Sequence, residues 1–127
     1  AGTAVGKKEA EGPLGEQFDL RNPDDKFGMN TWERAESEMQ RLALNTAMGK
    51  AGLRDADVGA LFAGDLLNQC VGSSYGLLPF DVPYFGLYGA CSTAAEGLIL
   101  SALTVSGGFF ARTAAVASSH NCAAAAT

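Results

Sequence analysis

Cys91 is the residue best placed to do chemistry in this sequence. It follows Leu87-Tyr88-Gly89-Ala90 and precedes Ser92-Thr93 and a long apolar segment. That pattern predicts a thiol at the turn from a strand into a helix. A helix N-terminus carries free backbone N–H groups and the positive end of the helix dipole. Both favour a thiolate there. The same N–H groups could hold a carboxylate or an oxyanion, and Gly89 and Ala90 leave room for it to approach. A buried cysteine is more often a small apolar filler, so position alone does not assign a role.

His120 is the single histidine, and it ends a strand-like run. Ligands of open parallel sheets gather at that edge. A Cys–His pair would make a nucleophile and base, but a histidine at a strand end is as often a hydrogen-bonded structural residue. Asn121 either orients a ligand or closes a turn. Glu96 falls one turn into the helix after Cys91, where the dipole favours its charge. Gly107-Gly108 ends that helix, and no G-x-x-x-x-G-K phosphate loop is present. Cys70, Cys91 and Cys122 form neither a C-x-x-C pair nor a zinc-ligand spacing. Their odd number, with no visible secretory leader, points to reduced thiols.

These residues need a scaffold. Residues 1–30 are rich in Gly, Pro and charge and read as a long surface loop. Residues 31–51 read as a helix. Its apolar stripe is Trp32, Ala35, Met39, Leu42, Ala43 and Ala47, with Asn30 as cap and Gly52 as a left-handed stop. Val58 to Gly64 reads as a buried strand, Asp65 to Gln69 as the start of a short helix, and Pro83 to Gly89 as a second strand. Residues 92–106 form a helix with hardly a polar face, which must be covered all round. Ala114 to Ser118 closes as a small-residue strand. Alternating helices and strands predict an α/β fold with a largely parallel sheet over residues 31–127.

The chain has 127 residues, a formal net charge of −5 and 47% hydrophobic residues. That is one domain at most. The acidic balance argues against nucleic acid as a partner. No run of about 18 apolar residues offers a membrane span, and no signal peptide is visible. Every Lys and Arg except Arg112 lies at or before Arg54, so the second half reads as interior. The opening without Met and the Ala123–Thr127 close read as the cut ends of a longer protein.

Leu87 to Thr93 resembles the nucleophile turn of thiolase-like proteins. Further segments narrow the resemblance: Ala1-Gly2-Thr3-Ala4, Glu11-Gly12-Pro13-Leu14-Gly15, Phe18-Asp19 and Trp32-Glu33-Arg34-Ala35-Glu36. Gly64-Asp65-Leu66-Leu67-Asn68-Gln69 and Ser118-Ser119-His120-Asn121 follow in order. Together they resemble the stage V sporulation protein AD family of spore-forming bacteria. The resemblance implies the N-terminal half of a thiolase-like layered fold, with a buried helix after the Cys strand. It implies a protein that is not a working thiolase. Its members bind pyridine-2,6-dicarboxylic acid (dipicolinic acid) and support its uptake into the developing spore, calcium accompanying the ligand. No resident cofactor or metal site is implied. The implied partners are membrane proteins of the same sporulation channel. The implied location is peripheral, on the cytosolic face of the forespore inner membrane.

Family members are more than twice this length, and the catalytic histidine of true thiolases comes from the other half. His120 therefore matches a different motif and inherits no catalytic role. The candidate ligand-binding residues are Cys91, Ser92, His120 and Asn121. The second reading is an acyltransferase or condensing enzyme with Cys91 as acyl nucleophile, and a third is a fragment with no activity of its own. In a half-protein, one side of the 92–106 helix would lie open and promote self-association.

Overall fold

The computed structural model describes residues 1–6, 10–22, 32–65, 80–89 and 92–118. Two short strands, β1 (Ala4–Val5) and β2 (Leu20–Arg21), pair in parallel. They precede helix α1 (Trp32–Ala51) and strand β3 (Ala60–Asp65). Strand β4 (Tyr84–Gly86), helix α2 (Thr93–Ser106) and strand β5 (Thr113–Ser118) complete the order. The main sheet runs β4-β3-β5 with both pairings parallel. This is the expected α/β class with a parallel sheet.

Period-two alternation along β3 decides the layering. Leu61 and Ala63 point to one face, where they pack with Val116 of β5 and with Leu44 and Met48 of α1. Ala60 and Phe62 point to the other face, where they pack with Leu87 and with Leu100 of α2. One helix thus covers each face of the sheet. β3 is central and buried on both sides, which is why its sequence is an unbroken apolar run rather than an alternating one. Phe62 and Phe85, opposite one another across the β3–β4 pair, stack with centroids 5.2 Å apart. Such pairs stabilise adjacent strands beyond their area burial.

Several boundaries differ from the sequence reading. The segment expected as a long surface loop carries the β1–β2 pair. Thr3 and Asp19 hold it closed: Thr3 donates its N–H and its hydroxyl to Asp19 Oδ2, each at 2.9 Å. Lys50 at the end of α1 donates to the same carboxylate through Oδ1. Asp65, expected to open a helix, is the last residue of β3 and sits opposite Ser118. Residues 66–69 of that expected helix, and the Asn30 cap, lie outside the described residues. Gly52 adopts φ 70° after α1, the left-handed stop its position predicts.

The α1 stripe is also rotated from the expected one. Ala35 of the expected stripe is fully buried, but Gln40, Leu44 and Met48 are buried as well, whereas Met39, Leu42, Ala43 and Ala47 are half-buried. The cause is a second neighbour. Gly2 lies so close to the backbone of Ala43 and Ala47 that a Cβ there would collide with it. Ala43 and Ala47 therefore meet the N-terminal segment, and Gln40, Leu44 and Met48 meet the sheet.

Candidate functional site: the turn into the second helix

The carboxyl ends of the parallel strands and the N-terminus of α2 come together at Gly64, Leu87 and Thr93. A Cβ on Gly64 would lie 2.6 Å from the Leu87 carbonyl oxygen and 2.7 Å from Thr93 Cγ2. Only a glycine lets β3, the segment after β4 and the start of α2 approach this closely. Thr93 is buried there, its Oγ1 without a hydrogen-bond partner among the described residues.

The chain turns into α2 through a bond between Gly89 and Ser92. The Ser92 N–H donates to the Gly89 carbonyl at 2.9 Å, and the Ser92 hydroxyl donates to the same oxygen at 2.7 Å. Ser92 is the N-cap residue of α2, yet its side chain makes no capping bond to the helix. The hydroxyl points back toward the turn and not forward to the first-turn N–H groups. Those groups and the dipole suit an anion. Glu96 lies in the same first turn, its carboxylate beside Gly89, so one negative charge already stands next to the turn.

Of the four residues the sequence singles out, Ser92 is placed by the structure at this turn. Cys91, His120 and Asn121 lie outside the described residues, as do Cys70 and Cys122. By sequence, Cys91 immediately precedes the N-cap of α2, and His120 follows the last residue of β5 by two positions. Both strand ends that lead to candidate residues therefore belong to the same edge of the sheet. No group of three or more potential metal ligands occurs among the described residues. None of the helices found among them is long and apolar enough to cross a membrane.

The structure adds a residue that the sequence reading passed over. Gln40 is 1% exposed on the sheet side of α1. Its amide nitrogen donates to the Gly64 carbonyl at 3.0 Å and to Ser118 Oγ at 2.6 Å. A signal existed, since Gln40 stands four residues before Leu44 and eight before Met48, the helical spacing of one face.

Helix α2 is covered by the sheet on one side and open on the other, as expected of a half-protein. The side of α2 away from the sheet exposes Leu98, Ile99 and Leu103, each more than half accessible, and Phe109 beyond the helix is 78% exposed. An apolar face of this kind on a surface helix calls for a cover.

Two comparisons bear on what this scaffold is. Residues 1–126 match the family model of stage V sporulation protein AD. The chain is 41% identical over 124 residues to "Stage V sporulation protein AD" of Bacillus subtilis (strain 168), a match covering 98% of this chain and 37% of that protein. The chain thus spans little more than a third of the length of that relative. With near-complete coverage of its own residues, this chain belongs to the stage V sporulation protein AD family.

Proposed function

We propose that this chain is part of a sporulation protein that binds dipicolinic acid and supports its uptake into the developing spore. The observation that carries the reading is the family match over residues 1–126. The turn at Gly89–Ser92 is physically compatible with it. A small dicarboxylate needs fixed donors, and the first turn of α2 supplies backbone N–H groups with the dipole behind them. An acidic chain binding a dianion is no contradiction, because the helix field is local; the Glu96 carboxylate beside Gly89 opposes it and is a charge that calcium would offset. Calcium travelling with the ligand would offset the carboxylate that does not face the helix. Cys91, Ser92, His120 and Asn121 are the residues proposed to line the site.

In this reading the protein has no catalytic role. Its partners are membrane proteins of the same sporulation channel, and it sits peripherally on the cytosolic face of the forespore inner membrane. Nucleic acid is not among its ligands.

The test grafts this chain into the longer relative in place of the matched segment and titrates dipicolinate calorimetrically, with and without calcium. Binding that Cys91→Trp abolishes without unfolding the protein supports the reading. A stable acyl-thioester on Cys91 after incubation with acyl-CoA would replace it with the acyltransferase reading.

A further inference from the structure

Segment Ala1–Val5 lies against α1 with little burial to hold it there. Ala1 is exposed and residues 2–5 are half-buried, and neither core cluster contains a residue from this part of the chain. Its ladder to Leu20–Arg21 is two residues long and separate from the main sheet. What fastens the segment is polar. Thr3 gives its N–H and its hydroxyl to Asp19 Oδ2, and the same hydroxyl accepts the Asp19 N–H, each at 2.9 Å. Lys50, in the last turn of α1, donates to the other carboxylate oxygen, Oδ1. Three donors thus meet on one carboxylate, which joins the segment to its partner strand and to the helix beside it. Exposed hydrogen bonds and ion pairs are individually weak, so a segment fastened by them opens at lower cost than the core.

The seat is as specific as the fastening. A Cβ on Gly2 would stand 2.6 Å from the Ala47 backbone nitrogen, so only a glycine lets the segment come this close to α1. At the seat lies a cavity of about 330 Å³. Ala1 and Gly2 form one wall, Ala43 and Ala47 of α1 another, and Ala114 to Ala117 of β5 line it as well. Among the described residues β5 pairs on one side only, with β3. Its sequence Thr-Ala-Ala-Val-Ala-Ser holds no charge and no proline to blunt the other edge. Native sheets commonly cover such an edge with a loop or a helix.

We propose that Ala1–Val5 is a strap, that Asp19 is its catch, and that the closed strap walls off the apolar cavity along the free edge of β5. Unlatched, it uncovers Ala43, Ala47 and that edge together, while both core clusters stay packed. The inference is independent of the ligand reading.

The experiment compares the 127-residue chain with two variants that release the strap by different routes. Asp19→Ala removes the catch, and Gly2→Val drives a branched side chain into the α1 backbone at the seat. The readout is amide exchange at Leu20 and Asn22, whose N–H groups donate to the Thr3 and Val5 carbonyls at 2.9 and 3.0 Å and are untouched by either substitution. Exchange there should accelerate about tenfold or more in both variants and stay as in the parent at residues 61–63 of β3. Fluorescence of 1-anilinonaphthalene-8-sulfonate should rise about twofold or more in both, as the dye finds newly exposed apolar surface. The open face of α2 is common to all three chains and cancels in the comparison. Unchanged exchange at Leu20 and Asn22 overturns the catch if seen in Asp19→Ala, and the seat if seen in Gly2→Val. Acceleration that extends to residues 61–63 overturns the strap, because the segment would then open only with the core. Faster exchange at Leu20 and Asn22 with unchanged dye fluorescence overturns its closing of the cavity.

Discussion

Ser92 turns back on Gly89: its N–H and its hydroxyl both donate to the one Gly89 carbonyl, at 2.9 and 2.7 Å. The turn into α2 is thus closed by a doubly used acceptor, and the helix start keeps its first-turn N–H groups clear of the Ser92 hydroxyl. Ser92→Ala removes one of the two bonds and spares the other. We expect a stability loss of about 0.5–1.5 kcal/mol in urea denaturation, with the helix intact by circular dichroism.

Gly64→Ala should cost more. Its new methyl would meet the Leu87 carbonyl oxygen at 2.6 Å, and a backbone atom cannot rotate away as a side chain can. Overpacking of this kind costs about 1–3 kcal/mol. Guanidinium denaturation should show the midpoint falling with little change in slope; an unchanged midpoint would mean that the junction has slack.

The N-terminal tie responds to acid. Hydrogen bonds from Lys50 and then from Thr3 hold the Asp19 carboxyl at about 2, below its ordinary 3.8. A depressed carboxyl stabilises the fold at pH values above the unfolded value. That contribution is lost as pH falls through the folded one. The Thr3–Asp19 tie should therefore loosen between about pH 4 and pH 2. Carbon-detected NMR titration of Asp19 should show its midpoint moving back toward the ordinary range in Lys50→Met. No movement would remove Lys50 as the leading cause.

The open face of α2 predicts self-association of the isolated chain. Leu98 and Leu103 are 65% and 62% exposed, and water gains when they are covered. Sedimentation velocity should show species larger than the monomer that grow with concentration. Leu98→Glu with Leu103→Glu should return the chain to monomer, and a monomeric unsubstituted chain at millimolar concentration would count against the face.

The isolated chain should bind dipicolinate weakly or not at all, whereas the graft into the longer relative binds it. A ligand gains affinity when most of its surface is enclosed. One exposed helix N-terminus contributes about 0.3–1 kcal/mol, against roughly 8 kcal/mol for micromolar binding. Micromolar affinity in the isolated chain by calorimetry would mean that its pocket is already complete.

Much of the architecture was legible because hydrophobic period and glycine placement are local signals. Val58 to Gly64 is a short apolar run bounded by turns and reads as a buried strand; the strand is there, from Ala60 to Asp65, and it is the central one. Gly52 needed a positive φ and has it. The Leu87–Thr93 stretch announced a strand-to-helix turn, and Ser92 stands at the N-cap of α2. What the sequence alone could not supply was the set of neighbours around each element. The face that α1 gives to the sheet depends on Gly2 crossing Ala43 and Ala47, a contact between residues far apart in the chain. Asp65 looked like a helix start because its own neighbours suit one, but pairing opposite Ser118 keeps it in the sheet. Gln40 reads as one more polar residue on a helix until the tertiary fold brings Gly64 and Ser118 within its reach. Local pattern determined the two long helices and the three strands of the main sheet, since propensity and burial act over a few residues, but not the short β1–β2 pair, which only its tertiary partner makes a strand. Only the three-dimensional packing decided which side chains meet at the carboxyl edge of the sheet, because those contacts join positions up to 78 residues apart.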